Sequence, residues 1–83
     1  MLFRKRPYSV KPQGRAGFVY TENDMSIYVF SEFMRDVDFD LVAYLSRVTH
    51  WDPPSESMEL TNDDRERIKQ NVSQALRVRI EWA

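Results

Sequence analysis

The sequence predicts a small α+β domain: an antiparallel sheet of about four to five strands, packed by one C-terminal helix and followed by a short terminal strand. Three observations carry this prediction. Segments rich in aromatic and β-branched residues alternate with turn residues in the first half of the chain. One apolar stripe with helical spacing follows a capping signal at Thr61. The apolar spacing then changes to a period of two near the C-terminus.

Length and composition limit the class of protein. The 83 residues suffice for one domain with a thin core. With no cysteine and a single histidine, His50, thiolate and multi-histidine metal sites are excluded, and no cofactor is expected. The chain has no apolar run of the roughly 18–20 residues that a membrane span needs. The basic residues 4–6 precede no apolar signal region. We therefore expect a cytoplasmic protein without membrane association.

The N-terminal segment differs in charge from the rest. Residues 1–14 form a basic arm with two prolines, and residues 15–83 are predicted as the single α+β domain. Residues 8–11 of the arm can add an edge strand, where proline is tolerated. Five bases and no acid lie in the first fifteen residues, a composition that also suits a nucleic-acid-binding arm.

A hairpin is predicted next. Residues 18–21 and 25–30 are strand-like, and the polar turn at residues 22–24 joins them. In the second strand, alternate side chains point to opposite faces. Tyr28 and Phe30 thus lie on one face of this strand, and Met25, Ile27 and Val29 lie on the other. We expect a sheet that is covered on one face and partly apolar on the other.

Residues 37–45 show the cleanest alternation in the chain. Apolar residues at every second position are separated by Asp36, Asp38 and Asp40. This pattern predicts a half-buried strand with three carboxylates on its solvent face, which residues 47–51 can continue past a bulge or bend; by length alone a helix is the alternative. Carboxylates about 6–7 Å apart along a strand are too widely spaced for one metal ion. They indicate a solvated face or a contact surface for a basic partner.

The loop that begins with Trp51 has the most distinctive local sequence in the chain. Paired prolines at 53–54 make it rigid, so Trp51 is either an exposed interface anchor or a lid over the thin core. His50 and Asp52 are the best acid–base pair that the chain offers, yet a nucleophile motif and a phosphate loop are missing, so we expect no catalytic residues and no enzyme. The predicted partner-binding residues are Asp36, Asp38, Asp40, Trp51, Asp52, Glu56 and Glu59.

The helix is predicted from Thr61 onward. Asp64 follows three residues later, as in a capping box. The apolar stripe that packs on the sheet consists of Ile68, Val72, Ala75 and Leu76, and the terminal strand contains Val78, Ile80 and Trp82. The chain has no glycine at the helix C-terminus, where one is common.

Charge is distributed unevenly. Between Glu22 and Asp64 there are eleven acids and two bases, a sum of −9. Such a stretch suits a basic partner and repels nucleic acid, and it also keeps a protein soluble.

Several short strings together resemble one family. They are VDFDLVAY at 37–44, THWDPP at 49–54, LTNDDRERI at 60–68, NV at 71–72 and VRIEW at 78–82. The chain, over roughly residues 15–82, is similar to small bacterial immunity proteins of polymorphic toxin systems. The resemblance implies a non-enzymatic protein that binds and neutralises a cognate toxin inside the producing cell; a basic nuclease is one toxin that an acidic surface would suit. The alternative is a nucleic-acid-binding or regulatory module that uses the basic arm. A homodimer contact stays open.

Overall fold

The computed structural model describes residues 8–35 and 38–83. The elements in chain order are β1 (Tyr8–Gln13), β2 (Gly17–Glu22), β3 (Met25–Phe33), β4 (Leu41–Ala43), a 3₁₀ turn (Leu45–Arg47), α1 (Asn62–Leu76) and β5 (Ile80–Trp82). The strands form one sheet in the order β1-β2-β3-β4-β5. Ile68 and Val72 of α1 pack into the same core as one face of the sheet. The predicted α+β class is confirmed.

The sheet is mixed: the predicted antiparallel pairs form, and the terminal strand, whose direction the prediction leaves open, is the one that makes the sheet mixed. The first three strand pairs are antiparallel, but β4 and β5 run parallel. The reason is that α1 connects them: it carries the chain from one end of the sheet back to the other, so β5 starts where β4 starts. Parallel neighbours need such a crossover, and antiparallel ones do not.

The predicted hairpin and edge strand are confirmed. β2 and β3 are joined by Asn23 and Asp24, which adopt left-handed φ angles of 49° and 62°. Asn and Asp tolerate this conformation, which a two-residue hairpin turn requires. β1 lies at the sheet edge, with Pro12 opposite Phe18. The basic residues 4–6 lie outside the described residues.

The acidic strand is shorter than predicted. It spans only Leu41–Ala43, and Asp38 and Asp40 precede it in irregular structure. β3 ends at Phe33, opposite Leu41, so the strand ladder does not extend to Asp38 and Asp40. The predicted continuation through residues 47–51 is also wrong, because a 3₁₀ turn follows β4 and only an isolated bridge forms at His50. Asp36, also placed on this strand by the prediction, lies outside the described residues.

The helix follows its prediction closely. Thr61 and Asp64 form a reciprocal capping box, with both hydrogen bonds at 3.0 Å. Ile68 and Val72 are fully buried against the sheet. At the C-terminus Arg77 takes the left-handed conformation, at φ 53°, that a glycine often occupies.

Candidate partner-binding surface

The predicted partner-binding acids lie at two separate places along β3. The backbone N–H of Asp52 donates to Ser26 O at 2.8 Å, near the start of β3. Asp40 lies past the other end, where its carbonyl accepts from Met34 N at 2.9 Å. Tyr28, which also contacts Asp52, is six residues from Met34, a span of roughly 20 Å in a strand. The structure therefore does not bring the two groups of acids together.

Asp40 is engaged with Arg79. Its Oδ1 accepts from Arg79 Nη2 at 3.1 Å, and its Oδ2 accepts from the Arg79 backbone N–H at 3.1 Å. The hydrogen bonds from the Arg79 side chain and backbone hold the pKa of the Asp40 carboxyl below its ordinary value. This contact joins the segment before β4 to the segment before β5. The Asp40 carboxylate thus helps to hold these two segments of the sheet together. Asp38, two residues earlier, is exposed.

The Trp51 loop is built around a buried indole. Trp51 is 2% exposed, and its ring lies 6.5 Å from that of Tyr20. Of the two predicted arrangements, Trp51 therefore adopts the one in which it covers the core. The backbone of Trp51 donates to Met58 O at 3.0 Å, which closes the loop on itself. Glu56 and Glu59 project from this loop and are exposed. The indole supports the loop from inside rather than anchoring a partner at the surface.

The candidate acid–base residues His50 and Asp52 bind different groups. The Nδ1 atom of His50 lies 2.9 Å from Thr49 Oγ1. The Oδ2 atom of Asp52 accepts instead from the backbone N–H of Tyr28 at 3.0 Å. Asp52 therefore satisfies a backbone N–H on the edge of β3 that does not pair with β2, which is a structural role.

A buried carboxylate that the sequence analysis did not single out lies between β2 and α1. Glu22 is 7% exposed and accepts from Arg67 Nε at 3.1 Å, from Arg67 Nη2 at 2.9 Å and from Tyr20 Oη at 2.5 Å. Burial, together with the hydrogen bond to Glu22, raises the pKa of Tyr20 to about 12. The period-two alternation of β2 that turns Phe18 and Tyr20 inward also turns Glu22 inward. This alternation is the sequence pattern from which the burial of Glu22 could have been predicted.

The Glu22 cluster borders a cleft of about 410 Å³, lined by Tyr8, Tyr20, Glu22, Asn23, Met25, Arg67 and Asn71. Asn71 Nδ2 donates to Tyr20 Oη at 2.9 Å. Every buried side-chain nitrogen and oxygen within residues 8–35 and 38–83 has a hydrogen-bond partner. The cluster is internally satisfied, as expected of groups that hold a helix on a sheet.

One end of the sheet displays four exposed acids, which we call the acidic end: Asp24, Glu56, Glu59 and Asp63. Asp24 lies in the β2–β3 turn and Asp63 in the first turn of α1. The loop carrying the two glutamates is held to β3 beside that turn through Asp52. Other acids of the −9 stretch pair with arginines: Glu22 and Asp64 with Arg67, and Asp40 with Arg79. Glu32, at the other end of β3, is exposed as well, so the acidic end holds part of the exposed negative charge of this stretch.

The sheet face away from α1, which we call the outer face, is aromatic. Tyr28 is 40% and Phe30 37% exposed there, as the alternation of β3 predicts. The Phe30 ring lies 5.5 Å from that of Tyr44, and the Arg47 guanidinium stacks 4.6 Å above the Tyr44 ring. A Cβ added to Gly17 would come within 2.6 Å of the Tyr28 ring, so the glycine allows Tyr28 to lie across β2.

Among the described residues, no three His, Asp or Glu side chains are grouped so that they could hold a metal ion. Within the same residues, no helix has the length and apolar character to cross a membrane.

Comparison with known proteins gives one match. Residues 14–79 match the family model described as Immunity protein 74. This range contains β2, β3, β4 and α1 and leaves out β1 and β5. No curated protein and no solved structure matches the chain.

Proposed function

Because the chain belongs to the Immunity protein 74 family, we propose that it binds a cognate bacterial toxin and neutralises it by direct protein–protein contact. Family membership is the observation that carries the proposal. In this role the protein acts without catalysis, in the cytoplasm of the cell that makes the toxin, as part of a polymorphic toxin system. The candidate acid–base residues His50 and Asp52 hydrogen-bond to other groups, Thr49 and the Tyr28 backbone, which is consistent with a binding role.

The acidic end is the surface that we propose for the toxin. Two of its exposed carboxylates, Glu56 and Glu59, lie on a loop that the buried Trp51 and the Asp52 contact to β3 hold in place. A rigid acidic surface speeds association with a basic partner and costs little ordering on binding. A nuclease, whose active-site cleft binds phosphate, is the toxin chemistry that fits best. The exposed Asp38, past the far end of β3, remains a predicted second contact, and so does Asp36, which lies outside the described residues.

The proposal is tested by co-expression. The toxin encoded next to this gene is expressed in cells with and without the protein, and survival is counted. We expect protection, together with co-purification of the two proteins. Equal killing in both cultures would refute neutralisation of that toxin.

The proposed surface is tested separately with a charge-reversed variant, Glu56→Lys combined with Glu59→Lys. If these residues face a basic toxin, association measured by surface plasmon resonance should slow by about tenfold at low salt, and its salt dependence should weaken. The control is Gln70→Lys combined with Gln74→Lys, which adds positive charge at two exposed positions in the second half of α1. A double variant that associates as fast as the control would place the interface elsewhere.

A further inference from the structure

The cleft beside Glu22 is large enough to admit a side chain of another protein. Its volume of about 410 Å³ falls within the range of about 300–1,000 Å³ that ligand pockets occupy. A single ordered water needs only about 30 Å³. The half-buried Tyr8 and Met25 line the cleft from the sheet, and Arg67 and Asn71 line it from α1. The cleft therefore lies between two elements that the shared core holds in place.

The cleft is bordered by a surplus of negative charge. Arg67 pairs with Glu22 at 2.9 Å and with Asp64 at 2.7 Å, so one arginine is shared between two carboxylates. Asp24 lies in the chain between two residues that line the cleft, and Asp63 precedes Asp64 in the first turn of α1. Among the described residues these make four acids and one base. The charge of the cleft therefore suits a cation rather than an anion.

The other bases of α1 lie away from the cleft. Arg65 and Lys69 are each two residues from Arg67, which in a helix of about 3.6 residues per turn is a rotation of about 200°. They therefore lie on the opposite side of α1. Arg65 donates there to Leu45 O at 2.9 Å, and Lys69 lies 3.6 Å from Glu66. Neither base neutralises the acids that border the cleft.

Hydrogen-bond acceptors and an aromatic ring line the cleft. Glu22 accepts twice from Arg67 and once from Tyr20, whereas a carboxylate has about four acceptor positions. Asn71 donates to Tyr20 through Nδ2, and its Oδ1 accepts from no group within residues 8–35 and 38–83. The Tyr8 ring, stacked on that of Tyr20 at 6.0 Å, offers a surface that attracts cations. A lysine or arginine side chain binds groups of these kinds.

We propose that this cleft receives one lysine or arginine side chain of the toxin. The inference rests on the proposed function and adds an anchor to it, because Asp24 and Asp63 belong both to the acidic end and to the border of the cleft. Charges at the rim of an interface mainly change the rate of association, whereas a group bound in a pocket mainly changes the rate of dissociation. The groups around Glu22 already hold one another in place, so binding orders little of the protein.

The first test measures the dissociation rate of the complex with the neighbouring toxin by surface plasmon resonance. Asn71→Lys places a cation of this chain in the cleft, and dissociation should become at least about 30-fold faster, as expected when a central anchor is lost. The control is Ser73→Lys, which adds the same charge at an exposed position on the opposite side of α1. Its complex should dissociate at the wild-type rate. Equal dissociation rates of the two variants would overturn the proposal.

A second pair of variants leaves the charge of the cleft unchanged. Tyr8→Leu keeps an apolar side chain on the core but removes the aromatic ring, and dissociation should become about fivefold faster. Tyr28→Leu makes the same change on the outer face and should leave the rate unchanged. Circular dichroism checks that both variants are folded. A folded Tyr8→Leu variant that dissociates at the rate of the Tyr28→Leu variant contradicts a cation bound in the cleft.

The third test needs no toxin and so separates the cleft from the proposed function. Isotope-labelled protein is titrated with Nα-acetyl-arginine amide, and with its neutral isostere Nα-acetyl-citrulline amide as the control, and followed by NMR. The arginine probe alone should shift the side-chain amide resonances of Asn23 and Asn71, with a dissociation constant in the millimolar range. Equal shifts with both probes, or none with either, would overturn the proposal. If the arginine probe binds but the toxin does not bind the wild type, the proposed function fails while the preference of the cleft for a cation stands.

Discussion

Glu22 illustrates how single residues hold the helix on the sheet. Its carboxylate is almost completely removed from water, and three donors from Arg67 and Tyr20 replace the lost hydration. Arg67 also donates to Asp64 at 2.7 Å, which links the cluster to the capping box of α1. A buried ion pair adds little net stability compared with an apolar pair, but losing one partner leaves an uncompensated charge.

Arg67→Ala should therefore lower the free energy of unfolding by about 2 kcal/mol. The usual cost of breaking a buried pair is about 3–5 kcal/mol. We expect less because the Arg67 side chain is 44% exposed and water can partly replace it. Urea denaturation followed by circular dichroism measures the change.

Lys69→Ala is the control for this prediction. Lys69 lies on the same helix and forms only a 3.6 Å surface pair with Glu66. Its loss should cost less than about 0.5 kcal/mol. Equal destabilisation by the two variants would show that Glu22 does not depend on Arg67.

At the scale of elements, α1 is capped more favourably at its N-terminus than at its C-terminus. The N-terminus has a complete capping box, and the hydrogen bonds from Thr61 and Arg67 outweigh burial and hold the pKa of Asp64 below its ordinary value. The C-terminus closes on Arg77, a non-glycine residue at φ 53°. A left-handed conformation brings Cβ close to the backbone carbonyl, a strain that glycine avoids.

Arg77→Gly should accordingly stabilise the protein by about 0.5–1 kcal/mol, since it relieves this strain and retains the backbone hydrogen bond to Ser73 O at 3.2 Å. Thermal unfolding measures the gain. Gln70→Gly, at an exposed position inside the same helix, should instead destabilise by about 1 kcal/mol. A less stable Arg77→Gly variant would contradict the prediction.

At the scale of the whole molecule, no element has a core of its own. Trp51 comes from the loop, Tyr20 from β2 and Ile68 from α1, yet they belong to one buried cluster. The segments before β4 and β5 are also joined, through Asp40 and Arg79. Because all elements share one thin core, we expect the protein to unfold without populated intermediates.

We expect one cooperative unfolding transition. In a Trp82→Phe variant, fluorescence reports on Trp51 alone, while far-UV circular dichroism reports mainly on α1. The two urea midpoints should coincide, because Trp51 and α1 share the buried cluster. Midpoints that differ by more than the fitting error would show that the loop unfolds independently of the helix.

The sequence by itself determined the features that depend on near neighbours. Thr61 and Asp64 are three residues apart and form the helix start without help from the rest of the chain. Asn23 and Asp24 determine the hairpin turn through their own backbone preferences. The alternation in β3 correctly separated Tyr28 and Phe30 from the buried face, because side-chain direction in a strand has a period of two.

Only the tertiary structure decided the features that join distant parts of the chain. Glu22 and Arg67 are 45 residues apart, and Asp40 and Arg79 are 39 apart, so no local pattern shows that they pair. The same holds for the direction of β5, which depends on where α1 delivers the chain. Long-range packing also decided the exposure of the predicted partner-binding residues: Trp51 is buried in the core and Asp40 is bound to Arg79, whereas Glu56 and Glu59 are exposed.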